Sequence, residues 1–261
     1  MTGKMRIDLN SDVGESFGAY KLGLDEEVIP HITSANIACG FHAGDPGVMR
    51  KTVASAKRFG VEVGAHPGYP DLMGFGRRNM DATLEEIQDY VIYQMGALQA
   101  FAQAYGLKLQ HVKAHGALYN MAVAIPEMWE AIAEAVARVD KEIILVALAS
   151  SNREMLMGIR KRHGIRFAFE AFPDRAYRSD GSLAPRKEMG AVIHDPEVVA
   201  QRALMMAQEG KVISTDGTEI ELRADTLCVH GDNPAAVQIV KKIRGSLKSS
   251  GVEVTSLKNF V

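Results

Sequence analysis

Four runs in this 261-residue chain end in a histidine beside glycine: GFHAG at His42, GAHPG at His66, KAHGA at His115 and VHGDN at His230. A strand that stops at a glycine-permitted polar tip presents a side chain at its end, so four such tips point to one shared site. The opening run DLNSDVGES adds Asp8, Asn10, Asp12 and Glu15. Carboxylates and imidazoles gathered in a cleft exchange protons near neutral pH. That makes Asp12 and Glu15 the acid–base candidates and His42, His66 and His115 the main proton carriers, ahead of His230. Lys113 lies within HVKAHG, and an ammonium buried there must meet a carboxylate, a phosphate or a developing oxyanion. Asp8 and Glu62 are the carboxylates offered for a purely structural pair. Arg77 and Arg78, in GFGRRN, suit bidentate binding of a carboxylate or phosphate.

Plainer roles compete at some of these positions. Asp12 also fits a turn former, and Asp45 an N-cap before Pro46. Cys39, followed by Gly40, reads as a small buried hydrophobe rather than a nucleophile. Asp12, His42 and His66 are a set able to form a His/His/Asp metal site, but none of them has H-x-x-x-H spacing and no metal is assigned. The chain has no G-x-x-x-x-G-K-S/T phosphate loop.

Such tips need strands to carry them. Short apolar runs at Met5–Leu9, Ser34–Cys39, Val61–Ala65, Leu109–Ala114, Ile143–Leu148, Arg166–Ala171 and Thr226–His230 alternate with amphipathic segments. This is the α/β pattern of repeated βα units around a parallel sheet. Strand residues two apart share a face, which aligns Asp8, Asn10 and Asp12, then Glu62, Gly64 and His66, then His111, Lys113 and His115, then Cys228 and His230. Helix starts are expected at Asp45-Pro46, Asp195-Pro196 and Asn233-Pro234, and at Thr83 with Glu86 and Ser151 with Glu154. Gly60, Gly106, Gly164 and Gly210 stand where helices end. Residues 1–261 read as a single barrel domain, with a hairpin at 211–222 around Asp216-Gly217 and a long loop at 174–190 able to close over a site.

Hydrophobic content of 47%, charged content of 24% and a net charge of −2 leave no electrostatic footprint for nucleic acid or a membrane surface. The longest apolar run, Ile143 to Ala149, is far short of the ~20 residues of a membrane helix. With no apolar signal core at the N-terminus, a cytoplasmic location is expected. Cys39 and Cys228 are far apart in sequence, which fits reduced thiols.

Taken in order, DLNSDVGES at 8–16, NIACGFHAGDP at 36–46, GAHPGYPDLMGFGRR at 64–78, KAHGALYN at 113–120, EAFPDRAY at 170–177 and VHGDNPAAV at 229–237 resemble the LamB/YcsF family over nearly the whole chain. The resemblance implies a distorted seven-stranded (β/α) barrel of the glycoside hydrolase/deacetylase type. It also implies cleavage of the lactam 5-oxo-L-proline to L-glutamate, coupled to hydrolysis of ATP with its Mg, in an assembly with 5-oxoprolinase subunits B and C. On that reading Lys113 and an arginine neutralise phosphoryl and oxyanion charge. Asp12 or Glu15, with His42 or His66, deprotonates the attacking water, and His115 or His230 protonates the leaving nitrogen. Arg77 or Arg78 holds the substrate carboxylate, with Asp8, Asn10 and His230 among the substrate and phosphate contacts. Two other functions fit the same residues: a metal-dependent deacetylase acting on a carbohydrate, and a non-catalytic subunit that presents its ligand to a partner.

Overall fold

The computed structural model describes residues 5–150, 152–230 and 235–261. The expected cap at Asn233-Pro234 and the Ser151 half of a capping box lie outside them. Seven parallel strands close on themselves: β1 (Arg6–Val13), β2 (Ser34–Ala38), β3 (Glu62–His66), β4 (Leu109–Lys113), β5 (Ile144–Leu148), β6 (Arg166–Ala171) and β9 (Thr226–Cys228). β9 pairs with both β6 and β1, which shuts the barrel. Between β6 and β9 an antiparallel hairpin of β7 (Lys211–Ile213) and β8 (Glu219–Glu221) stands apart, and β10 (Glu253–Val254) flanks the start of β1. The helices are the single turn α1 (Asp25–Val28), then α2 (Pro46–Phe59), α3 (Leu84–Ala104), α4 (Gly116–Ala124), α5 (Pro126–Val139), α6 (Arg153–His163), α7 (Pro196–Gln208) and α8 (Ala236–Ser249). Asp45 caps α2 through the Val48 amide, Thr83 and Glu86 form a reciprocal capping box on α3, and Asp195 caps α7. Asn152 caps α6 through the Met155 amide. No helix among the described residues is long and apolar enough to cross a membrane.

The two faces of each strand bury different chemistry. Outward residues such as Leu9, Ile37, Val63, Val112, Leu145, Phe167 and Leu227 join the main apolar core beneath the helices. The inward set is polar over most of the circumference: Asp8, Asn10, Ser34, Asn36, His111, Lys113, Glu170 and Thr226 are all buried. At one end Ile144, Val146 and Ala168 form a small separate cluster with Leu257, packed by Phe260 and Val261, which plugs the barrel. Buried polar groups are tolerable only when bonded, and these are. Asp8 accepts hydrogen bonds from the Thr33, Ser34 and Thr226 hydroxyls at 2.5–2.7 Å. Asn36 Nδ2 donates to Asn10 Oδ1 and Asp12 Oδ1, both at 2.7 Å, while His111 Nε2 donates to Asn36 Oδ1 at 2.7 Å.

This polar interior explains where the strands depart from the apolar pattern. β1 runs on to Val13 because Asn10 to Val13 pair with Ser34 to Ile37, although their sequence looks like a turn. β9 ends at Cys228, two residues early. Gly64 is a packing requirement in β3: a Cβ there would lie 2.2 Å from His111 Nε2, within the ring that anchors the interior network. Gly64→Ala is therefore expected to lower stability by about 1–3 kcal/mol, read from the urea midpoint at unchanged slope.

Candidate functional site

At the ends of β1, β3, β4, β6 and β9 the barrel opens into a cavity of about 610 Å³, inside the ~300–1,000 Å³ span of small-molecule sites. Lys113 forms its floor. The ammonium lies 2.8 Å from Asp12 Oδ1, 2.8 Å from Glu170 Oε1 and 3.2 Å from Cys228 Sγ, with the Phe172 ring 5.3 Å away. Burial opposes the ammonium, but Asp12 opposite it, with Cys228 and Glu170, outweighs that and holds the lysine well above its ordinary pKa. Burial likewise works against the Asp12 carboxylate, yet His66 and Lys113 keep it well below the usual range. The lysine is thus a permanent cation and Asp12 a permanent anion at the cavity floor. The structural partners offered from sequence, Asp8 and Glu62, are not the ones used. Asp8 sits deeper among hydroxyls, pushed up by burial to about 6, and Glu62 pairs with Lys258. Asp8 and Asn10 are therefore the scaffold beneath the cavity and not ligand contacts, because their polar atoms are spent on Thr226, Ser34 and Asn36.

Four residues from separate loops and strand ends meet at one side, Glu15, His66 and His115 forming the cavity wall and His42 standing behind them. His66 Nε2 lies 3.0 Å from His115 Nδ1, and Glu15 Oε1 lies 3.4 Å from His42 Nε2 and 3.6 Å from His115 Nδ1. The His42 and His115 rings stack at 3.7 Å and 3°. Burial first, then the neighbouring imidazoles, push His42 and His115 well below the ordinary histidine pKa. His66 and His115 spend their second nitrogens on the backbone carbonyls of Lys113 (2.7 Å) and Phe75 (2.8 Å). Phe75 aims its carbonyl from a left-handed backbone, φ 54°, an uncommon conformation for a residue with a Cβ. His42 lies behind this wall, fully buried, and does not line the cavity. Of the set Asp12, His42 and His66, the fold brings Asp12 Oδ2 to 3.4 Å from His66 Nε2 while the other Asp12 oxygen meets Lys113 and Asn36, and Glu15 and His115 stand with the two histidines.

On the opposite side His230 faces Asp174, Nδ1 to Oδ2 at 2.8 Å, with its ring stacked on Phe172. Burial would raise the Asp174 pKa, but His230, with Arg186 and Arg175 beyond it, lowers it, so the carboxylate is ionised and accepts the Nδ1 proton. An Asp12 oxygen and a His230 ring nitrogen lie within 4.8 Å of each other. Segment 174–190 folds over the mouth, tied by bridges Arg175–Val192 and Tyr177–Leu183 and by Arg175 donating to the Ala184 and Ala191 carbonyls. It contributes Arg186 and Lys187 to the lining.

The adjacent arginines separate. Arg77 lines the cavity, stacked over Phe75 at 4.9 Å, whereas Arg78 turns away and is held by Asp71, outside the lining. Its expected ligand role is corrected on that ground. Glu170 and Asp174 lie within the EAFPDRAY motif but were not singled out as site residues, and Arg186 and Lys187 stood out by no motif or spacing. A further signal for Glu170 was an acidic residue inside the otherwise apolar run RFAFEA. Both cysteines are free and buried, and burial pushes the Cys39 thiol up to about 12, as befits a packed side chain.

The profile of the LamB/YcsF family matches residues 7–261. The chain belongs to the LamB/YcsF family. Relatives in it include the A component of 5-oxoprolinase from Thermococcus sibiricus, 56% identical over 257 residues, covering 98% of this chain and 100% of that one. The corresponding A component of 5-oxoprolinase from Campylobacter jejuni is 52% identical over 256 residues, covering 98% and 99%. Among solved structures, the lactam utilization protein from Thermus thermophilus superposes with a TM-score of 0.90 at 49% identity over 97% of this chain and 100% of that one. A peptidoglycan N-acetylglucosamine deacetylase matches with a TM-score of 0.50 at 11% identity, covering 99% and 89%, a likeness of fold alone. With these, the LamB/YcsF chain has the seven-stranded barrel of the deacetylase type that its motifs imply.

Proposed function

We propose that this chain is the lactam-opening subunit of a 5-oxoprolinase, hydrolysing 5-oxo-L-proline to L-glutamate with ATP turnover, in assembly with subunits B and C. The observation that carries the reading is the cavity floor, a Lys113 cation clamped between Asp12 and Glu170 beneath a rim supplied with Arg77, Arg186 and Lys187. Relatives named as the A component of 5-oxoprolinase and as a lactam utilization protein support the substrate class.

A five-membered lactam resists water because its nitrogen lone pair is shared with the carbonyl. Transfer of the ATP γ-phosphoryl group to the carbonyl oxygen, with ADP leaving, makes that carbon electrophilic. Lys113 and the rim cations stabilise the charge gathered on the phosphoryl oxygens. His66, its Nε2 3.4 Å from the ionised Asp12 Oδ2, accepts a proton from the water that attacks the carbon. The His230–Asp174 pair delivers a proton to the ring nitrogen as the C–N bond breaks, leaving an acyl phosphate that a second water hydrolyses to glutamate and phosphate. Arg77 holds the substrate carboxylate.

In the reconstituted three-component assembly, phosphate release is expected to require 5-oxoproline and to be matched by glutamate. Release that ignores 5-oxoproline overturns the reading. Within the same assay Arg77→Ala is expected to raise KM for 5-oxoproline about tenfold or more, the loss of one charge-assisted contact. Arg78→Ala is expected to leave KM within about twofold, because its guanidinium is engaged by Asp71.

A further inference from the structure

The cavity is larger than a lactam needs. At about 610 Å³ it falls in the size class that encloses drug-sized molecules, whereas one five-membered ring with a single carboxylate needs only the floor, by Lys113, Asp12 and His230. The rest is an outer arm lined by Val123 and Ala124 of α4, by Leu148 at the end of β5 and by residues 182–187 of the segment over the mouth. Two chemistries meet in this arm. Val123, Ala124, Leu148 and Leu183 give it an apolar strip, and Arg186 and Lys187 add two cations. Arg178, on the same segment, is paired with Glu188 at 2.6 Å, but Arg186 and Lys187 have no ion-pair partner among the described residues. The buried Arg175 donates to the carbonyls of Ala184 (2.6 Å) and Ala191 (3.2 Å), which brackets residues 185–190 and fixes how Arg186 and Lys187 are presented. Burial first, and then the Arg186 guanidinium, push Arg175 down to about 10, as like charges gathered in one place do. Asp174 is the carboxylate beside them, and His230 holds it.

We propose that this chain itself binds the nucleoside triphosphate, in the outer arm: Arg186 and Lys187, braced by Arg175, hold the phosphate chain, and the nucleoside lies along Val123, Ala124, Leu148 and Leu183. A chain with no glycine-rich phosphate loop has to meet phosphates with side-chain cations, and these are the ones it gathers on one cavity. Cations lining one cleft focus its field and concentrate an anion there. Floor and arm belong to the same cavity, so the lactam and its phosphoryl donor are held together, as direct transfer requires.

The proposal rests on the ATP-coupled lactamase reading and goes beyond it in assigning the nucleotide to this chain, and its test is independent of turnover. Full-length protein without its partners, titrated calorimetrically with the Mg²⁺ complex of adenylyl imidodiphosphate, is expected to take up one equivalent, and tripolyphosphate is expected to compete. Arg186→Ala combined with Lys187→Ala is expected to weaken uptake about tenfold or more, the loss of two charge-assisted contacts. Val123→Trp, which fills the arm, is expected to abolish it. Neither change is expected to move the affinity for 5-oxoproline by more than about twofold, and Arg178→Ala is expected to leave nucleotide uptake unchanged because Glu188 engages it. Absence of saturable one-to-one uptake by the unsubstituted protein overturns the proposal, as does uptake that survives both the paired cation substitution and Val123→Trp. Affinity for 5-oxoproline that falls in step with nucleotide affinity also overturns it, since the arm is then part of the lactam site. Nucleotide uptake without 5-oxoproline turnover in the assembly defeats the lactamase reading alone, and turnover with a chain that takes up no nucleotide defeats this one alone.

Discussion

Lys113→Met is expected to cost both turnover and stability, and the two losses come from different partners. Glutamate formation in the assembled enzyme should fall about 100- to 1000-fold, the effect of removing one preorganised charge from a developing anion. Stability should fall by about 3–5 kcal/mol, because Glu170 is left buried without its counter-ion. Adding Glu170→Gln to Lys113→Met removes the orphaned charge, so the double variant should regain much of the stability while staying inactive. The Tyr119 hydroxyl, 3.2 Å from Glu170 Oε2, still has an amide oxygen to donate to. Urea midpoints and glutamate production on the same preparations separate the two effects. A double variant that regains turnover along with stability would make Lys113 a structural cation only.

The barrel was legible because outward strand faces are apolar whatever lies inside. Leu9, Val63, Val112, Leu145 and Phe167 mark their strands, and the α3 and α7 caps are encoded within a few residues of Thr83 and Asp195. The inward face was less so. In β1 the residues Asn10 and Asp12 look like a loop, since alternation is recognisable only when one face is apolar and the other wet, whereas both faces are buried at Asn10. The site followed the same division. Strand parity aligned Asp12, His66 and Lys113 with the cavity, but partner choice depends on contacts about a hundred residues apart in sequence. Nothing local distinguishes Asp8 from Glu170 as the lysine's counter-ion. Distant contacts decide it: the Thr33, Ser34 and Thr226 hydroxyls occupy Asp8, while Glu170 Oε1 meets the ammonium. Arg77 and Arg78 diverge because they follow two residues in left-handed conformation, Phe75 and Gly76, a turn that no residue pattern in GFGRRN announces.

His230 and Asp174 give the second large effect. In the proposed reaction, once water has added to the phosphorylated lactam, the tetrahedral carbon carries two groups able to leave, the ring nitrogen and the phosphate. Expelling the nitrogen opens the ring, whereas expelling phosphate regenerates the lactam and wastes the nucleotide. An amine leaves only when protonated, and phosphate needs no such help, so the proton donor decides the partition. His230 is placed for this, its Nδ1–H fixed on the ionised Asp174 and a ring nitrogen within 4.8 Å of an Asp12 oxygen. His230→Gln is therefore expected to lower glutamate formation about 100-fold or more while phosphate release falls much less, so that ATP consumed per glutamate rises. Asp174→Asn should move the ratio the same way, because the amide no longer fixes the tautomer. Parallel loss of phosphate and glutamate in both variants would assign the pair to nucleotide or substrate binding. An unchanged ratio with unchanged rate would leave it a strut for the 174–190 segment.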